Sequence, residues 1–135
     1  MPSSDRGIDP RPSETFRQRL TLTERKREYG RVRIQKPDYV PIIVERGSDA
    51  TPEIDREKYL VPPDLTAGQF LCVLRRRLTL GKEEALFLLC RGKAVHGTAL
   101  LAGLDREEDG FLYLVYAKEN VFGRGAREGG EGGKE

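Results

Sequence analysis

Cys72, Cys90 and His96 are the side chains of this sequence best suited to nucleophilic, acid–base or soft-metal chemistry near neutral pH. A catalytic cysteine needs a base beside it and a further group to orient that base. Cys72 falls in the middle of a helical stretch and Cys90 ends an apolar strand, so both read as small apolar fillers. His96 lies in the Lys93–Gly97 turn and reads as a solvated loop residue. Two cysteines and one histidine in separate elements do not make a zinc spacing. The glycine-rich run 125–133 has neither a lysine–serine partner nor a following helix, so it is no phosphate loop. The expectation is a protein that is not an enzyme, with no metal and no cofactor.

The clearest compositional signal is where the folded part ends. Residues 111–123 read F-L-Y-L-V-Y-A-K-E-N-V-F-G, and behind Gly123 five of the twelve residues are glycine, with no large apolar side chain. Such a tail buries too little surface to offset its ordering entropy. A folded domain is therefore expected to stop at Phe122–Gly123, ahead of a disposable tail at 124–135. By itself, a glycine in this place most simply marks an ordinary domain end.

The elements that position this terminus can be taken in order. At 135 residues the chain has room for one core. Its 34% of charged residues and formal charge of +2 give a mixed, polar surface. No apolar run reaches the length of a membrane span, and the start M-P-S-S-D-R-G is not a signal peptide. Two cysteines among so many charges suggest a reducing, cytosolic compartment. Residues 1–14 hold three prolines and no periodicity, and read as a flexible extension.

From Phe16 to Lys36 there are eight Lys or Arg against two Glu. Phe16 and Leu20 suggest a short helix. Thr21–Glu24 fits a capping box, and Leu22, Tyr29 and Val32 then recur at helical spacing until Pro37 and Asp38. Lys26 interrupts that stripe. Val40–Arg46 and Lys58–Val61 read as two strands, the second stopped by Pro62–Pro63. Thr66 and Gln69 form another capping box, flanked by Leu65 and Phe70 at staple spacing, for a helix to about Leu78. That helix carries Leu71, Leu74 and Leu78 on one face, which fills a core. Phe70, Val73 and the stem of Arg77 make a second stripe, an apolar surplus. Ala85–Cys90 is a third strand turning at Arg91–Gly92–Lys93, and Thr98 is placed to cap a short helix through Leu104. Phe111–Tyr116 is apolar on both alternating sets, as a central strand covered on both faces would be. The arrangement is α+β, with a helix packed on a mixed sheet and basic helices ahead of it.

Several runs together resemble the autophagy ubiquitin-like modifiers, the light chain 3 and GABA-receptor-associated protein family. They are V-P-I-I-V-E-R (40–46), D-R-E-K-Y-L-V-P (55–62), L-R-R-R-L (74–78), E-D-G-F-L-Y-L-V-Y (108–116) and V-F-G (121–123). The opening P-S-E-T-F-R-Q-R (12–19) looks most like the light chain 3 branch. Leu20, Lys26 and Tyr39 depart from the usual pattern. The resemblance implies a β-grasp (ubiquitin-like) fold over 15–123, with two additional N-terminal helices at 15–36. It also implies cleavage by a cysteine processing protease after Gly123. A ubiquitin-type activating and conjugating cascade would then join Gly123 to phosphatidylethanolamine on autophagosomal membranes.

The resemblance further implies a groove for cargo receptors bearing aromatic-x-x-aliphatic motifs, built on Lys58–Val61 as an edge strand. One pocket would be lined by Glu28, Val32, Pro41, Ile43, Lys58, Leu60 and Phe111. The other would be lined by Tyr59, Val61, Pro62, Phe70, Val73 and Arg77. Arg17, Arg19 and Arg56 are the basic residues placed nearest the groove. The basic helices would suit acidic peptide flanks, anionic lipid or tubulin, and no motif supports nucleic acid. The competing expectation is a non-conjugated interaction adaptor of the same fold, associated with microtubules.

Overall fold

The structure, a computed structural model, describes residues 14–81 and 83–118. The proposed N-terminal extension up to residue 13, the tail, Phe122 and Gly123 lie outside the described residues.

Two short capping decisions set the N-terminal part. Thr15 and Gln18 form a reciprocal capping box that opens helix α1 (Phe16–Arg19). Sequence reasoning placed this helix but did not find its cap. Thr21 and Glu24 form a second box for α2 (Leu22–Gln35), which ends two residues before Pro37. Strand β1 (Val40–Arg46) follows, then β2 (Lys58–Val61), which stops at Pro62. Thr66 and Gln69 close the third box and start α3 (Ala67–Leu78). Strands β3 (Phe87–Cys90) and β4 (Lys93–Ala94) precede a single 3₁₀ turn at Leu101–Gly103, and β5 (Leu112–Ala117) ends the described chain.

The sheet order is β2-β1-β5-β3-β4. β5 runs parallel to β1 and antiparallel to β3, so the strand with two apolar faces does lie in the middle. Its alternation divides the protein in two. Leu112, Leu114 and Tyr116 join Val40, Ile42, Val44, Tyr59, Val61 and the buried side of α3 in the main core. Phe111 and Tyr113 face the other way, into a smaller cluster with Phe16 and Ile43, against which Leu20, Tyr29 and Val32 pack. The rings meet edge to face: Phe16 and Tyr29 lie 5.3 and 5.8 Å from Phe111. A mixed sheet with α3 across one face is the expected β-grasp arrangement, and α1 and α2 cover part of the opposite face.

Four local expectations are corrected. Phe70 belongs to the core face of α3, with Ala67, Leu74 and Leu78, and is fully buried. Leu71 is only partly covered, because the sheet lies on the side of the helix that Phe70 faces. Cys72 is exposed, so it fills nothing, while Cys90 is half-buried and its thiol is pushed up by desolvation. The short helix expected after Thr98 is reduced to the 3₁₀ turn Leu101–Gly103, and Thr98 does not cap it: its N–H and hydroxyl engage His96 Nδ1, and Leu100 stands at the cap position. Finally, the β3–β4 turn is only Arg91–Gly92, both at positive φ (54° and 80°), and Lys93 is already in a strand. That is the turn geometry that matches the twist of a two-residue hairpin.

Candidate functional site

Strand β2 pairs with β1 on one side and with no other strand among the described residues, so it forms an edge of the sheet. An edge strand offers N–H and C=O groups to an incoming chain. The period of two sends its side chains to opposite faces. Lys58 and Leu60 lie on the α2 face, and Tyr59 and Val61 on the α3 face. Each face next to this edge has its own lining.

On the α2 face, Leu60 stands opposite Pro41 and Lys58 opposite Ile43 in the antiparallel register. Ile43 and Phe111 are fully buried and form the floor, and Val32 packs against them from α2. Glu28, one turn earlier on α2, accepts from Lys58 Nζ and from Arg31 at 2.9 Å. Lys58 first, and then Arg31, hold the Glu28 carboxyl below its usual range. This ion pair spans α2 and β2.

On the α3 face, the Tyr59 and Phe70 rings meet at 5.3 Å and nearly perpendicular. Phe70 and Val61 form the floor, while Val73 and Pro62 are only partly covered. The Tyr59 hydroxyl is buried without a hydrogen-bond partner, and desolvation pushes its pKa up to about 12. Arg77 does not point into open space. It donates to both oxygens of Asp55, at 3.0 and 3.2 Å, and ties the end of α3 to the segment leading into β2.

One positioning residue was missed from sequence. The run 105–110, D-R-E-E-D-G, has the composition of a charged turn, yet Asp109 is only 2% exposed. Its carboxylate accepts from the Phe111 N–H at 2.9 Å, from Arg25 Nε at 2.9 Å and from the Tyr113 hydroxyl. It thereby fixes the strand start that carries Phe111 and fastens α2 above it. The legible signal was the Asp-x-Phe spacing, since an aspartate readily bonds its own backbone two residues on.

Residues 24–123 match the family model described as "Autophagy protein Atg8 ubiquitin like". Autophagy-related protein 8a of Arabidopsis thaliana is 44% identical over 106 residues, covering 76% of this chain and 87% of that protein. Autophagy-related protein 8d of the same plant is 42% identical over 113 residues, covering 81% and 94%. The chain belongs to the Atg8 family. The crystal structure of Trypanosoma brucei ATG8 matches with a TM-score of 0.72 at 37% identity, over 78% of this chain and 95% of that one. The light chain 3 likeness of residues 12–19 lies ahead of the matched segment.

In this Atg8-family chain the thirteen residues expected to line a groove gather along β2, on the two faces just described. The flanking arginines behave differently from one another. Arg17 donates to Glu45 at 3.0 and 2.8 Å and lies 4.2 Å over the Tyr113 ring. Arg19 pairs with Glu57, and Arg56 is exposed. Arg19 and Arg56 line a concavity of about 1350 Å³ between α1 and the β1–β2 connection, at the Lys58 end of the edge strand. Among the described residues no His, Cys, Asp and Glu side chains gather as a metal-binding set. No helix there is long and apolar enough to cross a membrane.

Proposed function

We infer that this Atg8-family protein is cleaved after Gly123 and conjugated through that glycine to phosphatidylethanolamine on autophagosomal membranes. There, it recruits cargo receptors through aromatic-x-x-aliphatic peptides that add as a strand to β2. The observation that carries the docking reading is the unpaired edge of β2 with an apolar floor on each face. A peptide strand has the same period of two, so its alternating side chains fall to the same two faces. The two anchors would meet Ile43, Leu60 and Phe111 on one side, and Val61, Phe70 and Val73 on the other. Support for the terminal chemistry is the family match, which runs to Gly123, with Phe122 before it and a glycine-rich tail behind.

The decisive measurement is an intact mass after mixing the full chain with the family's processing protease. Loss of residues 124–135 is the expected result. An uncut chain, with the protease active on a control precursor, would move the reading to a non-conjugated adaptor. In cells, Gly123→Ala should abolish relocation to autophagic membranes while peptide binding in vitro persists.

A further inference from the structure

The run L-R-R-R-L at 74–78 is followed directly by Thr79, and the docking groove uses only Arg77 of it. Of all the serines and threonines in the chain, Thr79 alone has an arginine both two and three positions before it. Arginines so placed are what a protein kinase with an acidic peptide cleft reads, since each guanidinium forks onto a carboxylate of the cleft.

The fold presents the hydroxyl. Thr79 is exposed at the C-cap of α3, with φ 58° and ψ 44°. Its N–H and that of Leu80 both return to the Arg75 carbonyl, and its hydroxyl makes no hydrogen bond among the described residues. A β-branched residue in the left-handed region is strained, and the strain is released when the segment extends. A kinase cleft takes its substrate extended, so the last turn of α3 must open locally. Little holds that turn closed. Leu78 is its one buried side chain, and Arg77 is tied to Asp55 by an ion pair at the surface. Such pairs are weak. Arg75 holds the carbonyls of Gly81 and Glu84, while Arg76 is exposed and pairs with no carboxylate among the described residues.

We propose that Thr79 is a phosphorylation site for an arginine-directed protein kinase. In that step Thr79 Oγ attacks the γ-phosphorus of ATP. The new Oγ–P bond forms as the bond to the ADP oxygen breaks, and the hydroxyl proton passes to a base of the kinase. The product carries about two negative charges at neutral pH. They fall at the end of α3 where the macrodipole is already negative, and Arg76, three positions back and unpaired, offsets part of them. The cationic corner made by Arg75, Arg76 and Arg77 is thereby neutralised, which gives the protein a charge switch on the exposed end of α3. This inference does not depend on peptide docking at β2.

The test incubates the full chain with ATP, magnesium and a kinase that accepts Arg-Arg-x-Ser/Thr peptides, and locates the added phosphoryl group by tandem mass spectrometry. The group should fall on Thr79 and be lost in Thr79→Val. Arg76→Gln should lower kcat/KM about tenfold while leaving the melting temperature unchanged, as removal of one forked contact to the kinase requires. A synthetic peptide of residues 73–81 is assayed beside the full chain. Modification of the peptide but not of the full chain overturns the proposal, because the folded helix end is then closed to the kinase. An unmodified peptide overturns it too, because the arginines are then not read. So does a phosphoryl group on another serine or threonine that persists in Thr79→Val.

Discussion

Asp109 sits where α2 meets the sheet, and its three partners come from α2, from β5 and from the backbone between them. Replacing it with alanine strands the Arg25 charge and leaves a buried N–H and a buried hydroxyl unsatisfied. Asp109→Ala should therefore cost about 3 kcal/mol in urea unfolding, with Asp109→Asn losing less. Glu28 makes a smaller contribution with a definite pH dependence. Lys58 and Arg31 hold its carboxyl below the ordinary range, so the folded chain takes up that proton less readily than the unfolded one. The pairing thus stabilises the protein above the ordinary carboxylate pKa, and the contribution is lost as pH falls through the lowered value. Glu28→Gln should melt about 2–5 °C below the parent at neutral pH, with the gap closing toward pH 3. An unchanged gap in acid would refute the pairing as its cause.

At the scale of elements, α2 is held more by its ends and edges than by burial. None of its residues is fully buried, and Gly30 weakens it further. It is fastened by the Thr21–Glu24 box, by Arg25 on Asp109, by Tyr29 and Val32 on the small cluster, and by Glu28 on Lys58. The Tyr29 ring lies flat against Gly110, which has φ +101°. A Cβ at that position would stand 2.6 Å from the ring. Gly110→Ala should cost about 1–3 kcal/mol and lift Tyr29 off the turn, read as a change in near-ultraviolet dichroism. Retained stability and spectrum would mean that the ring contact carries no weight. In α3 the three-residue stripe Phe70, Val73 and Arg77 was visible in the sequence, but its division between core and surface was not. A helix with two adjacent apolar stripes does not reveal which one the sheet will cover.

For the whole molecule, the sheet separates a large core under α3 from a small one under α1 and α2. Apolar area buried on the two faces is unequal, so the N-terminal helices should be the less stable unit. Hydrogen exchange should find the amides of β1 and β5 the best protected, those of α3 next, and those of α2 clearly weaker. Asp109→Ala should lower α2 protection further while leaving the α3 side nearly as it was. Equal protection throughout would argue that the two cores open as one. This arrangement bears on the proposed docking site, because its α2 wall belongs to the weaker unit and its α3 wall to the stronger.

Much was legible from local signals. Two capping boxes, two prolines after β2 and strict alternation act within a few residues, and so the elements and most of their limits could be read directly. The doubly apolar run at 111–116 announced a central strand, and the family runs pointed to the β-grasp fold. What tertiary structure alone decided depends on residues far apart in the chain. Strand order leaves β2 at an edge, beside the two faces that gather the proposed lining residues. Arg17 meets Glu45 across 28 positions, and Arg25 meets Asp109 across 84. A charge's partner in such cases is set by where the sheet brings it, and no local pattern carries that information. For the same reason the sequence showed a basic N-terminal segment, while the fold turned two of its arginines onto glutamates.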